Sequence, residues 1–426
     1  MIRPRIERSS VRGFAALSRK ARRRITLTVA GLVVLVVGVL SFLVVNVIEL
    51  STGIHRSAFS LPGVGDVAQN SSATNILVMG LDSRLDENGK PLPAAVYNAL
   101  HAGTQADGGY NANVLMLIHI PGGGGKASGI SIPRDDYVAL AGSPDGVSNG
   151  KIKQAYGLAL DQKLRQLTKA GKTSYADAYQ QARAAGRQAE ISTVSSFLGG
   201  VPINHFVEVT MAAFYQSALA LQPITVCLNE NTQDAYSAAM FHAGLQQLTA
   251  EQAVSFVRQR RDTTNPGLNF SDLDRERRQQ AFIVSLALKM KQANTFTNLA
   301  TLSALMDAAK QNIALDSGFN PLTMAAQASS IAGGNISFST LPIMGFGVKG
   351  GQSVNLVDLK QIHSLTAQLL SPHPTPSPSP ATAGVPAIKQ ITGPGATSAP
   401  SPSVSPSNVY NDWTTPLQGG AVPCVK

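Results

Sequence analysis

From Ile25 to Ile48 the chain runs 24 residues without a charged side chain, most of them Val, Leu and Ile. At 1.5 Å per residue, a helix of that length crosses the roughly 30 Å apolar core of a bilayer. Residues 1–24 before it hold nine of the chain's 35 Lys and Arg residues and a single acid, Glu7. A basic flank of this kind stays on the cytoplasmic side. The reading is therefore a single-pass protein of the cell membrane, with 1–24 as a cytoplasmic tail, 25–48 as a transmembrane helix and everything after Glu49 outside. A cleavable signal peptide is the competing reading. It wants a shorter apolar region and a small-x-small site, which Val45-Asn46-Val47-Ile48-Glu49 does not offer.

That topology redistributes the formal charge of +10. Beyond residue 24 there remain 26 bases and 24 acids, so the exterior part is near neutral and a general nucleic-acid-binding surface is not expected. The only two cysteines, Cys227 and Cys424, both fall in the exterior compartment. An even pair there permits a disulfide tying the C-terminus back to the domain, with two free thiols as the alternative.

Residues 49–73 read as a linker. Asn75–Gly80 is a short apolar strand running straight into Leu81-Asp82-Ser83-Arg84, and charged residues just past a strand end are where α/β sheets place ligand groups. Residues 85–110 read as a long loop, and Val114–Ile120 as a fully buried strand. The run Gly122–Gly125 before Lys126 lacks the Ser or Thr and the spacing of a phosphate loop, so it reads as a hairpin connection. The returning strand Gly129–Ile132 ends in Pro133-Arg134-Asp135-Asp136, a second charged strand terminus. Lys151–Tyr156 starts a helix, and Gln162–Phe197, with sparse apolar positions, reads as an exposed helical excursion. Val201–Val209 is a strand whose His205 is read as structural rather than catalytic. A helix is expected over Leu245–Val257 and amphipathic helix over 281–332. Beyond Leu370 the composition turns to Pro, Ser, Thr, Ala and Gly, which cannot bury enough apolar surface to fold alone. Residues 371–426 are therefore taken as a C-terminal tail, its biased composition running to about Val409.

Phe256–Gln280, FVRQRRDTTNPGLNFSDLDRERRQQ, concentrates the chemistry. With Val254–Arg260 read as a strand, Arg258 and Arg260 leave one face and Gln259 the other. Asn265-Pro266-Gly267 breaks it, and Ser271 or Asp272 caps a helix on which Arg275 and Arg278 share a face. Four guanidiniums would then converge on one anion, and their forked donors match phosphate oxygens two at a time. A solvated basic surface is the plainer alternative.

The ordered motifs NILVMGLDSR at 75–84, ISIPRDDYV at 130–138, KIKQAYGLA at 151–159, VPINHFVEV at 201–209, SFVRQRRD at 255–262 and SDLDRERRQQAF at 271–282 together resemble the LytR-CpsA-Psr family of membrane-anchored cell-wall ligases. The resemblance covers roughly 74–370, the expected catalytic domain, and implies an α/β fold: an α-β-α sandwich around a central mixed sheet, with an apolar pocket for a lipid tail. It implies transfer of a phosphoglycan from a polyprenyl pyrophosphate carrier to a peptidoglycan hydroxyl. By motif position Arg84, Arg134, Lys151, Arg258, Arg260, Arg275 and Arg278 would hold the pyrophosphate with Gln279 nearby, Asp82 would help position Mg²⁺, and Asp135 would support the arginines. Phosphoryl transfer leans on such positioned charge. Two positions depart from the family's pattern. Asn113 stands where a carboxylate normally meets the metal, and an amide oxygen can bind Mg²⁺ but without charge; Asn204 replaces an Asp before His205. A non-catalytic polyprenyl-phosphate-binding regulator and a polyprenyl pyrophosphate hydrolase remain as alternative functions.

Overall fold

Because alternate strand residues face opposite ways, the apolar run Ile76–Leu81 serves two cores at once. In the computed structural model Leu77 lies beside Leu117 and Met79 beside Leu115, while Val78 pairs with Met116. The first four join a core closed by Tyr156, Ile191, Val194 and Ile362. Val78 and Met116 join another, closed by Phe256, Phe282 and Phe338. The sheet is thus the middle layer of three. The structure describes residues 54–61, 73–101, 103–104, 109–122, 125–171, 173–292, 299–320, 334–371 and 409–426. The expected cytoplasmic tail and membrane span lie outside the described residues. Among the described residues no helix is long and apolar enough to cross a membrane.

In chain order the elements are β1 His55–Ser57, β2 Thr74–Leu81, α1 Ala94–Leu100, β3 Ala112–Ile120, β4 Ala127–Ser131, β5 Tyr137–Ala139, β6 Asn149–Lys151, α2 Gln154–Ala170 and α3 Tyr175–Phe197. Then come β7 His205–Thr210, α4 Met211–Leu221, β8 Ile224–Leu228, β9 Thr232–Asp234, β10 Ala239–Phe241, β11 Gly244–Leu248, α5 Ala250–Arg258 and α6 Asp272–Gln292. The chain closes with α7 Leu299–Asn312, β12 Ile313–Asp316, β13 Ile336–Thr340, β14 Gly345–Lys349, β15 Gln352–Leu356, α8 Leu359–Leu370, β16 Leu417–Gln418 and β17 Cys424–Val425. The central sheet has eight strands in the order β1-β12-β7-β2-β3-β4-β13-β16. It is mixed: β7 and β2 are parallel, as are β4 and β13, while β3 runs against both its neighbours. The turn at 121–126 joins the antiparallel β3 and β4, as the hairpin reading requires.

Several expectations are corrected. The stretch read as an Arg strand is helix α5. Thr249 Oγ1 accepts from the Gln252 amide at 3.3 Å and Gln252 Oε1 from the Thr249 amide at 2.9 Å, a capping box that starts a helix. Ala250, Ala253, Val254 and Val257 then fall on one helical face. The expected helix from Leu245 accordingly begins at Ala250, because Gly244–Leu248 pairs with β8. Residues 162–197 are not an exposed excursion. Arg183, Arg187 and Glu190 of α3 are buried, and their polarity is satisfied internally. Arg183 pairs with Glu87 (2.6 Å) and Glu208, and Arg187 with Glu87 (3.0 Å) and Glu208 (2.9 Å). Both guanidiniums hold Glu208 at a pKa of about 2 against the upward push of burial. The quartet pins the loop after Arg84 to α3 and β7.

The 85–110 loop contains α1, and the expected helical stretch 281–332 includes strand β12. The linker contributes β1, which pairs with β12. Nor do residues 409–426 stand apart from the domain. β16 adds to β13, β17 pairs in parallel with β8, and Cys227 and Cys424 are disulfide-bonded. Pairing and covalent closure supply the order that this segment's composition lacks.

Candidate anion site at the strand ends

Strands β2 and β4 finish at the same end of the sheet, and the charged residues that follow them meet there. Between Gly80↔Val114 and Leu81↔Ala112 the β2–β3 register slips, so Asn113 is the extra residue of a bulge. Gly80 is required beside it, since a Cβ there would lie 2.8 Å from Cβ of Val114. The amides of Asp82 and Asn113 both donate to the carbonyl of Asn111 at 3.0 Å. The bulge thus ties the backbones of the two expected metal ligands to one carbonyl. Asn113 Oδ1 is buried with no hydrogen-bond partner.

Helix α6 supplies the opposite wall. Ser271 and Asp274 cap it reciprocally, Ser271 N donating to Asp274 Oδ2 at 2.7 Å and Asp274 N to Ser271 Oγ at 3.4 Å. Asp272, in the first turn, accepts both Nε and Nη2 of Arg134 at 3.0 Å and Nη2 of Arg275 at 3.0 Å. Arg275 also reaches the Asn113 carbonyl at 3.4 Å. On the other side of Arg134, Asp135 lies 3.1 Å from Lys151 Nζ and 2.8 Å from Lys153 Nζ. Among the described residues, the carboxylates ion-paired to Arg134, Lys151, Lys153 and Arg275 are Asp135 and Asp272.

The electrostatics record this imbalance. Burial, then the charge of Arg134, brings the pKa of Arg275 down to about 10. Lys153 is lowered by the same two causes. Burial pushes Asp135 up, but Lys153, Arg134 and Lys151 outweigh it and hold the carboxyl at about 2. Glu276 lies well above the ordinary carboxylate value, through burial first and Asp272 second. Arg275 Nε is buried without a partner.

A second group adjoins across the bulge. Arg84 donates to the backbone carbonyl of Asp82 at 2.9 Å and pairs with its carboxylate. Arg258 lies near enough to Arg84 that burial and then that charge lower its pKa, and its guanidinium donates to the carbonyls of Leu100 and His101, capping the end of α1. Arg260 is exposed.

The four-arginine convergence is corrected in part. Arg275 and Arg278 lie on adjacent turns of α6, but Arg278 enters a slot of its own. It donates to Gln259 Oε1 (2.7 Å), Thr232 Oγ1 (2.9 Å) and the Lys426 carbonyl (2.8 Å), among the rings of Phe241, Phe256 and Phe270. Burial brings its pKa to about 9. Gln259, expected to leave the opposite face of a strand, instead caps the end of α5 and is buried as the partner of Arg278 and Thr232. Gln279 donates to the Val257 carbonyl at 3.2 Å, joining α6 to α5. His205 bonds Asp316 at 3.0 Å, the structural role expected of it. Sequence reasoning missed Lys153 and Asp272. The signal for Lys153 was there in its alternation with Lys151 in KIK, whereas Asp272 was read only as a cap. Between α4 and α7 lies an open groove of about 360 Å³ lined by Leu219, Ala220, Ala304 and Ala308 together with Gln216, Asp307 and Gln311. It reaches Gln311, whose carbonyl accepts from the Glu87 amide at 3.2 Å.

Fold and site define an α/β domain that gathers buried, undercompensated cations at the ends of its strands. The LytR_cpsA_psr family model matches residues 48–370, and the chain belongs to that family. It is 34% identical over 350 residues to the cell wall biosynthesis protein LcpA of Corynebacterium glutamicum, covering 82% of this chain and 65% of LcpA. It is 26% identical over 259 residues to the polyisoprenyl-teichoic acid–peptidoglycan teichoic acid transferase TagU of Bacillus cereus, covering 60% of this chain and 66% of TagU. The chain thus spans just under two thirds of each relative's length. The crystal structure of protein gbs0355 from Streptococcus agalactiae shares the fold, with a TM-score of 0.50 at 17% identity over 72% of this chain and 89% of that one.

Proposed function

We propose that this protein is a membrane-anchored phosphotransferase that moves a phosphoglycan from a polyprenyl pyrophosphate carrier onto peptidoglycan at the outer face of the cell membrane. The observation that carries this reading is Arg275: buried, with an unpartnered Nε, in a group of four cations whose ion-paired carboxylates, among the described residues, are two, Asp135 and Asp272. Buried charge of one sign in excess calls for a ligand of the other, and a pyrophosphate supplies both the charge and the oxygen geometry that guanidiniums match. In the reaction an acceptor hydroxyl oxygen bonds to the glycan-side phosphorus and gives up its proton to water, as the bridging P–O bond breaks and the polyprenyl phosphate leaves. Arg134, Arg275, Lys151 and Lys153 hold the leaving phosphate and neutralise the charge it gains. Arg84, paired with Asp82 next to the bulge, and Arg258, at the end of α1, supply further positive charge.

The residues present fit Mg²⁺. Asn113 Oδ1 is a buried oxygen lacking a partner, the Asp82 amide shares the Asn111 carbonyl with that of Asn113, and Mg²⁺ is typically held by one or two protein oxygens with substrate phosphates completing the shell. When bound there it would add positive charge at the pyrophosphate.

The test is a transfer assay with a polyprenyl pyrophosphate-linked glycan and a peptidoglycan acceptor, with and without Mg²⁺. Transfer by the native chain, increased in Asn113→Asp, supports the enzyme. Mg²⁺ binding tightened in Asn113→Asp with no transfer by either form would make the protein a binder. Release of polyprenyl phosphate without acceptor modification would make it a hydrolase.

A further inference from the structure

Beyond Thr340 the chain leaves the sheet as the β14–β15 hairpin, whose outer edge is unusually apolar. Met344, Phe346 and Val348 occupy alternate positions and are 70%, 74% and 69% exposed. The residues between them are Gly345 and Gly347, and Gly347 packs so closely on Leu356 that a Cβ there would lie 3.1 Å from its methyl carbon. The hairpin therefore sets Gly347 against Leu356 and three large apolar side chains outward, against the usual direction of burial. Lys349 lies exposed at the tip, and Lys360 and Leu359 lie exposed at the start of α8. The hairpin is bolted to the anion site: Asn355 N donates to the Asp135 carbonyl at 2.9 Å and Asn355 Nδ2 to Asp136 Oδ1 at 3.0 Å.

Topology says what this edge faces. β13 runs parallel to β4 and so delivers the hairpin to the sheet end that carries the site. β1 is parallel to β12, which is antiparallel to β7, which is parallel to β2. β1 therefore begins at that same end. Ile54, just before β1, is six residues past Ile48, the last residue of the uncharged run, so the intervening chain spans at most about 20 Å.

We infer that the β14–β15 hairpin docks on the lipid bilayer, burying Met344, Phe346 and Val348 among the headgroups and upper acyl chains with Lys349 and Lys360 against anionic lipid. The inference rests on the membrane anchoring proposed above. Apolar side chains backed by basic residues are the composition of interfacial anchors. Through Asn355, docking would fix the height of Asp135 and its cations at the level where a lipid-linked pyrophosphate emerges.

The test uses the full chain reconstituted in vesicles of anionic and zwitterionic phospholipid, with and without lipid brominated near the headgroup. Phe346→Trp places an indole in the stripe. Lys126→Trp places one at the opposite sheet end, in the β3–β4 turn. With the native Trp413 signal subtracted, brominated lipid is expected to remove most of the emission at position 346 and leave that at 126 unchanged. Vesicle flotation of the same samples reports the anchor separately. Chain that floats but shows no quenching at 346 would overturn the docking while leaving the anchor standing. Emission at 346 that shifts to the blue with protein density and ignores brominated lipid would assign the stripe to a second copy and overturn it too. Chain that fails to float would overturn the anchor and the docking with it.

Discussion

Arg134 and Asp272, 138 residues apart in sequence, meet through two bonds of 3.0 Å each. This fork joins the end of β4 to the first turn of α6, and Asp272 passes the constraint on to Arg275. A charge-assisted bidentate pair fixes direction as well as distance. Asp272 is thus a positioning residue for two of the proposed phosphate-binding cations.

Asp272→Asn keeps the shape but replaces one acceptor oxygen with a donor facing Arg134. We expect a loss of stability of about 1.5–3 kcal/mol, read from the urea midpoint. In a transfer assay kcat should fall more than KM rises, since the charge remains while its placement loosens. A variant with native stability and an unchanged kcat would show that the fork does not position the site.

Arg258→Ala and Gln259→Ala separate two roles in adjacent residues. Removing the Arg258 guanidinium is expected to weaken binding of a polyprenyl pyrophosphate by roughly 10- to 150-fold, the equivalent of one lost charged partner. Gln259→Ala strands the buried Nη1 of Arg278, so it should cost about 1–3 kcal/mol of stability with a smaller effect on binding. Isothermal titration and chemical denaturation measure the two. The opposite assignment of effects would refute the placement.

Glu190 gives a pH signature. Burial pushes its carboxyl up to about 8, against the opposing bond from the Tyr156 amide at 2.9 Å. The folded state therefore keeps a proton that the unfolded state releases above its ordinary value of about 4.5. Stability falls as pH rises from there to about 8 and levels off above. Glu190→Gln removes this slope, so its melting temperature should exceed that of the native protein at pH 8 and match it near pH 4.5. Parallel melting curves across pH for both forms would contradict the assignment.

The disulfide closes a separation of 197 residues, worth on the order of 5 kcal/mol by chain entropy. Cys424→Ser should lower the melting temperature markedly and loosen β17 from β8. Peptide mass spectrometry without reduction checks the linkage. Both thiols reacting with an alkylating agent in the folded protein would disprove it.

The sequence by itself marked the apolar strands Ile76–Gly80 and Val114–Ile120 and the charged segments that follow strand ends. Unbroken apolar strands state their burial directly, and charged residues beyond Gly80 and Ile132 mark strand ends without knowledge of any partner. It misjudged elements whose meaning lies in pairing. Arg183 and Arg187 read as solvated surface because composition does not reveal that Glu87 and Glu208 are waiting inside. Val254–Arg260 alternates like a strand, but a capping box at Thr249 settles it as helix. The last residues look like tail until β8 and Cys227 supply the partners their own composition lacks. Tertiary structure alone decided that Arg275 and Arg278, equivalent by helical spacing, serve different ends. The first is set among too few carboxylates and the second is fully partnered in an aromatic slot. A guanidinium's role depends on which acceptors the fold brings to it, and those acceptors range from Asp272, three residues before Arg275, to Lys426 at the end of the chain, 148 residues from Arg278.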